Sequence, residues 1–390
     1  MIDLTPPKPT REISTRSSLR VVFLYPPGRL NRLQKARAGQ APTEFFFGGI
    51  EMEKAGLVIE HREVELRAWQ PLDLSRLDTW ICRVFRDADE LTGRGIRAAR
   101  SLLRDTHGAD CIVVVEEFLA AGVGFWALLR QAKIPVVCIR CRLSWLAPST
   151  GWARTIIGTL SRQVHNVVLS PVEADIGRGR FSLKPEHLSF HTFGVDVEFW
   201  TPGTAAGEFV LCVGDSFRDY PTLLCAAKEI DAPVLIVSGQ TFAEPIPENV
   251  TVRKGSWRKE CLSDEELRDL YRRAICVVIP LQDYPMPVGQ SVCLQALACG
   301  KAVVMTRTRG WWDDNLQDEV NLLMVAPQDG SGLAAQVNRL CLDSALASRL
   351  GRSGRETVCA YFRINGFAAR LQQTCQALTD KAKNRRLPLS

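Results

Sequence analysis

The sequence predicts an α/β protein of two doubly wound domains joined by a short linker. Three observations carry this reading. Short apolar runs that do not alternate with polar residues recur along the chain, as expected of parallel strands buried on both faces. Helix-length segments separate these runs, which is the pattern of βαβ units. A Pro- and Gly-containing stretch at 196–207 then divides two such series of similar size. We accordingly expect a basic N-terminal arm over 1–18, a first domain over 19–195, a linker over 196–207 and a second domain over 208–365. Residues 366–390 read as a C-terminal helix with a basic tail, placed to cross back to the first domain.

The elements follow in order. In the first domain the run 19–25 stops at Pro26-Pro27-Gly28, the run 111–115 follows a helical stretch near 98–106, and the run 136–139 follows a helix ending near Lys133. In the second, 209–213 ends at Gly214, 234–237 ends at Ser238-Gly239, 250–252 precedes Lys254, 274–279 ends at Pro280, and 302–305 follows a helix stopped by Gly300. Ligands of open α/β sheets bind outside the carboxyl ends of the strands. The loops after Val213, Val237, Ile279 and Met305 are therefore expected to face one opening, the cleft between the domains.

Composition narrows the function classes. The chain has 390 residues, 46% hydrophobic and 24% charged, which is an ordinary globular balance and not that of a collagen, a disordered tail or a polytopic membrane protein. The longest apolar stretch, 111–129, is interrupted by Glu116 and Glu117, and its remainder is too short to span a bilayer. The first 20 residues carry Lys8, Arg11, Arg16 and Arg20 and lack the apolar core of a secretory signal, so the expected compartment is the cytoplasm. Thirteen cysteines lie singly in apolar stretches, where reduced thiols pack as small hydrophobes. The one C-x-x-C, at Cys138 and Cys141, has no second pair or flanking His, and no other cluster suits a metal. Of the net charge of +6, most lies in residues 1–50, which hold eight basic and three acidic residues. That surplus suits an anionic partner: a phosphorylated small molecule, or the inner face of a membrane touched peripherally. Nothing in the pattern points to nucleic acid.

The stretch from Pro287 to Val304 carries the most chemistry. A loop leaves the strand ending at Pro280, a helix begins near Gly289, Gln290 and Ser291, and Gly300 ends it. Such a helix start presents free N–H groups and the positive end of its dipole to the cleft, which favours a phosphate. Ser291 and Gln295 are four residues apart and share a face. If that face lines the cleft, Gln295 binds ligand hydroxyls; if not, it is a partly exposed helix residue. The loop from Pro26 to Thr43 is longer than a routine βα connection and holds Arg29, Arg32, Lys35 and Arg37 ahead of Gly48-Gly49. We expect Arg29, Arg32, Gly48 and Gly49 to shape an entrance to the cleft and to touch an anionic ligand or membrane surface.

The block from Pro287 to Val304 resembles the C-terminal signature of glycosyltransferase family 4, retaining enzymes of GT-B architecture that use nucleotide sugars. The resemblance extends to Ser170–Asp175 and Phe190–Asp196 as an interdomain approach, to Phe209–Ala227 as a first strand and helix, and to Asn321–Pro327 as a segment closing the donor site. It implies two Rossmann-like domains facing across a cleft, with a nucleoside-diphosphate sugar on the second and a hydroxyl acceptor on the first. The departures are as informative. Where the family has two glutamates eight residues apart, this chain has Pro287 and Gln295. The resemblance leaves Gln295 a ribose-binding amide and passes the donor-sugar role to another group, of which Asp283 is nearest. The family's diphosphate-binding Arg and Lys fall by position on Asp215 and Arg218. A carboxylate cannot take that role, so Arg218 is the expected diphosphate ligand, with Gly214 beside it and Lys254 as a second cation. Trp311 is the expected apolar or stacking wall. The family's first-domain His is absent where 140–145 should supply it, leaving His165 and His191 as the alternatives.

Together these imply an enzyme that transfers a sugar from a nucleotide sugar to a hydroxyl acceptor with retention, without a metal and with no cofactor besides the donor. A sugar-nucleotide epimerase on the same architecture, or a degenerate protein that binds the nucleotide sugar without turnover, would use the same cradle. A nicotinamide enzyme is disfavoured, because neither Tyr25–Gly28 nor the loop after Val213 supplies G-x-G-x-x-G.

Overall fold

A computed structural model describes residues 19–63, 106, 108–115, 117–130, 134–140, 143, 151–205, 207–255 and 262–385. The basic arm, most of the expected helix near 98–106, Cys141 with most of 140–145, and the tail beyond 385 lie outside the described residues.

Two six-stranded parallel sheets form the scaffold. The first contains β1 (Arg20–Tyr25), β2 (Val58–Glu63), β3 (Cys111–Val115), β4 (Val136–Arg140), β5 (His165–Val168) and β6 (Leu188–Phe190), in the order β2-β1-β3-β4-β5-β6. The second contains β7 (Phe209–Val213), β8 (Val234–Ser238), β9 (Val250–Lys254), β10 (Ala274–Ile279), β11 (Ala302–Thr306) and β12 (Leu323–Val325), in the order β12-β11-β10-β7-β8-β9. Read from β9, that is the 3-2-1-4-5-6 order of a doubly wound sheet. Its order reverses between β7 and β10, so the loops after these two strands border the crevice where such sheets take ligands. The central strands are apolar because helices cover both faces: every residue of β3 and β11 is buried.

Among the helices, α1 (Leu33–Arg37) and α2 (Gly49–Lys54) follow β1, and α3 (Glu117–Arg130), α4 (Gly151–Ser161) and α5 (Pro171–Phe181) cover the first sheet. The second sheet is covered by α6 (Tyr220–Ala227), α7 (Asp264–Arg273), α8 (Gln290–Ala298), α9 (Gly330–Leu342) and α10 (Ser344–Tyr361). Caps set several starts. Ser170 accepts from the Glu173 amide, Asp219 accepts from the Thr222 amide, and Ser263 with Glu266 forms a capping box. Four strands escaped the sequence reading for physical reasons. The edge strand β2 reads Val-Ile-Glu-His-Arg-Glu and is half-exposed, β5 has four residues, and β6 and β12 have three each.

The last helix, α11 (Ile364–Asn384), begins in the second domain's sequence but lies on the first. One face, Ile364, Phe367, Ala368, Leu371, Cys375 and Thr379, is buried. Phe367 packs against Phe47 and Phe193, the Thr379 hydroxyl donates to the Asp110 carbonyl, and Lys383 pairs with the Asp110 carboxylate at 3.1 Å. A single buried apolar cluster therefore runs through both domains, from Val21 through Trp200 to Cys375.

Gly48 is where α11 meets the loop after β1. Its φ is +81°, and a Cβ there would lie 2.8 Å from Cα and Cβ of Ala368. Gly48→Ala is expected to cost about 2 kcal/mol or more through strain and overlap, read as a melting temperature lowered by several degrees, with Gly28→Ala, where the added Cβ meets nothing, as the milder control.

Candidate functional site

The crevice side of the second domain is built from the loops after β7, β8 and β10 and from the start of α8. Gly289, at φ +79°, is the N-cap of α8, and among the described residues no side chain caps the helix. The first amides of α8 thus keep their capacity to bind an anion. Gln290 reaches across to the first domain, its Nε2 donating to the Leu169 carbonyl at 2.9 Å, so the helix start faces the cleft. Its side chain is spent on that contact, which leaves the backbone of Gly289, Gln290 and Ser291 and the half-buried Ser291 side chain toward the opening.

The loop after β7 is organised by Arg218, and not in the manner expected of a diphosphate ligand. Arg218 is buried; Nε and Nη2 both donate to the Val213 carbonyl at 3.0 and 2.9 Å, and Nη1 donates to the Ser216 carbonyl at 3.2 Å. The guanidinium is folded beneath its own loop because the end of β7 turns its carbonyls inward there. Gly214 is required by the same packing: at φ +109°, a Cβ would lie 2.8 Å from Arg218 Nη2. Asp215 ties this loop to the next, accepting from the Ser238 hydroxyl at 2.5 Å and the Gly239 amide at 2.7 Å. Lys254, at the end of β9, is exposed. Two further candidates prove to be partnered. Asp283 accepts from both the amide and the Nε of Arg309 at 2.7 Å, stapling the loops after β10 and β11. Trp311 is half-buried, stacks on the buried Trp312, donates to the Asp313 carbonyl and lies under the Arg307 guanidinium.

Gln295 is buried, and its partners come from both domains. Its Nε2 donates to Glu44 at 3.0 Å, while its Oε1 accepts from the Tyr271 hydroxyl at 3.2 Å. Glu44 stands in the loop after β1, is wholly inaccessible, and also accepts from Trp200 Nε1 at 2.7 Å and the Asp196 amide at 3.2 Å. Asp196 in turn accepts from the amide and hydroxyl of Thr43, both at 3.2 Å. Sequence reasoning missed Glu44. The only signal was a carboxylate inside the run Glu44-Phe45-Phe46-Phe47, too apolar a setting for a solvated one.

The long loop after β1 is thus a strap between domains and not an open basic entrance. Arg32 pairs with Asp264 at the start of α7 at 3.2 Å, with both side chains largely buried. Arg37 pairs with Glu53, and Arg29 is buried with its guanidinium over the Phe45 ring. Gly48 and Gly49 face the protein interior, Gly49 against His61 and Tyr25. His165 and His191 have structural places. His165 bonds the Glu186 carbonyl and the Ser189 hydroxyl, while burial against Phe367 lowers His191 to about 4. A groove of about 530 Å³ lined by Arg162, His165, His187 and Lys381 lies at the opposite, amino ends of β4 and β5, away from the crevice. Among the described residues no three His, Cys, Asp or Glu side chains converge as a metal site, and no helix is long and apolar enough to cross a membrane.

The chain has the two-domain α/β fold of the GT-B glycosyltransferases. Residues 217–343, which contain the end of the loop after β7, α8 and its flanking strands, match the family model described as glycosyl transferases group 1. Among solved structures, sucrose-phosphate synthase from Thermosynechococcus elongatus aligns with a TM-score of 0.66 at 17% identity, over 93% of this chain and 100% of that one. Anabaena HepE in complex with UDP-glucose aligns at 0.63 with 12% identity, over 92% and 100%. A glycosyltransferase from Rickettsia africae aligns at 0.62 with 10% identity, over 92% and 98%. A search of curated protein sequences finds no match.

Burial pushes Glu44 up from 4.5 to about 7, against the opposing effect of its hydrogen-bond donors. The folded state therefore holds this proton more tightly than the unfolded one. The stabilisation is complete below about pH 4.5 and is lost as pH rises through 7, by on the order of 3 kcal/mol. Glu44→Gln is expected to melt progressively higher relative to wild type from pH 5 to pH 8; a pH-independent difference would exclude the titration. Arg218→Ala, which strips three charge-assisted bonds from a buried loop, is expected to destabilise by about 2–3 kcal/mol. A residue that served a ligand alone would leave the melting temperature of the free protein unmoved.

Proposed function

We propose that the protein is a glycosyltransferase that binds a nucleoside-diphosphate sugar on its second domain and transfers the sugar to a hydroxyl acceptor presented by the first. The observation that supports this most directly is the uncapped start of α8 facing the cleft, inside the segment that matches glycosyl transferases group 1. The diphosphate lies against the amides of Gly289, Gln290 and Ser291, with the nearby Arg218 cation contributing its field from beneath the loop. Lys254 is the exposed cation at the end of β9. Gln295 holds the ribose. In this reading the leaving nucleoside diphosphate is stabilised by oriented donors, no resident cofactor takes part, and transfer proceeds with retention. The acceptor is a lipid, glycan or small molecule.

A second reading, binding without transfer, is favoured by the engagement of both Arg218 and Gln295 with protein partners. Product formation separates the two.

The direct experiment is a thermal-shift series with UDP-, GDP-, ADP- and TDP-sugars. A donor at 100 times its dissociation constant stabilises by about 2.7 kcal/mol, so one nucleotide class should raise the melting temperature measurably. Ser291→Tyr, which obstructs the helix start from a half-exposed position, should abolish that rise. No shift with any donor would sink the proposal.

A further inference from the structure

We propose that Glu44 is a positioning residue for Gln295, so that the first domain supplies the negative charge behind the ribose end of the nucleotide site on the second. The inference rests on the reading of α8 as that site.

A glutamine amide has two N–H donors and an oxygen with two lone pairs. In Gln295 one N–H is taken by Glu44 and one lone pair by the Tyr271 hydroxyl. The two partners fix which end of the amide points where, since a carboxylate accepts only and the tyrosine donates here. Among the described residues one N–H and one lone pair of this 3%-exposed residue take no further partner, and together they are the complement of a vicinal diol, one hydroxyl accepting and the other donating. The carboxylate also polarises the amide, strengthening the carbonyl oxygen as an acceptor. Glu44 is itself held from the linker region, by Trp200 Nε1 and the Asp196 amide, so charge, amide and linker form one bonded unit. Undocking the domains would withdraw the carboxylate and free the amide to turn. Ribose recognition is thereby coupled to the docked arrangement, with no contact between Glu44 and the nucleotide.

The test uses the full chain at pH 8, where Glu44 is ionised, and calorimetric titration with UDP, GDP and ADP, each beside its 2′-deoxy counterpart. Wild type is expected to prefer the ribonucleotide of its class. In Glu44→Gln that preference should fall about tenfold, equivalent to one hydrogen bond of about 1.4 kcal/mol, with the melting temperature at pH 8 not lowered. The exchange Glu44→Gln with Gln295→Glu returns a carboxylate–amide pair with its ends reversed. It should recover at least threefold of the preference, and not all of it, because either Trp200 Nε1 or the Asp196 amide then faces an NH₂ group. Gln295→Glu alone, with two carboxylates in contact, should be the least stable of the set. An unchanged ribose preference in Glu44→Gln overturns the proposal and leaves Glu44 a structural tie. Binding without any ribose preference in wild type also overturns it while keeping the nucleotide site. Wild type that binds none of these nucleotides or their sugars overturns the site itself.

Discussion

One buried carboxylate ties the architecture together. Glu44 leaves the first domain in a loop, enters the apolar interface, and receives hydrogen bonds from the linker and from α8 of the second domain. A carboxylate so placed costs a great deal unless its acceptor capacity is filled, and losing one partner is worse than never having had the group. The loop, the linker and α8 are therefore constrained to arrive together. The apolar residues around it, Phe46, Trp200 and Tyr271, add hydrophobic area, but area alone is indifferent to small rotations of one domain on the other. The hydrogen bonds select one orientation.

The same economy governs the crevice. Arg218, Asp215 and Asp283, which in isolation look like groups awaiting a ligand, each hold a loop in place. What they leave for a ligand is mainly backbone, the amides at the start of α8; at Gly214 the N–H is already given to the Val237 carbonyl and the carbonyl to the Tyr220 hydroxyl. A site made of amides is preorganised by the surrounding packing and needs little reordering of side chains when an anion arrives. Preorganised sites of this kind are read from their supports, because the groups that would contact the ligand carry no distinctive side chain.

The sequence disclosed the longer apolar strands, the edge strand β9 among them, and withheld the short or charged ones, the inner strand β5 included. Strands β7 and β10 were legible to the residue because an uninterrupted apolar run bounded by Gly214 or Pro280 has one economical interpretation. β2 was not, since an edge strand needs only one apolar face and this one carries four charged or imidazole side chains in six residues. The helix start at Gly289 was likewise readable from turn chemistry. Side-chain roles were less so. Whether Arg218 points into a cleft or under its own loop depends on where the β7 carbonyls turn, and Gln295 becomes part of an interface only because Glu44, 251 positions away, is brought to it. Spacing along one helix holds no information about such a partner.

The path of α11 has a consequence for how the molecule is made. The first domain's apolar face around Phe47 and Phe193 is covered by residues 364–379, which leave the ribosome only after the second domain's sequence. Domains generally fold as units during synthesis, the N-terminal one first. Here the first domain must wait, with part of its face open, until the second domain has been translated. The boundary in space and the boundary in sequence do not coincide, and a gene fragment ending at the linker would encode a domain missing a wall.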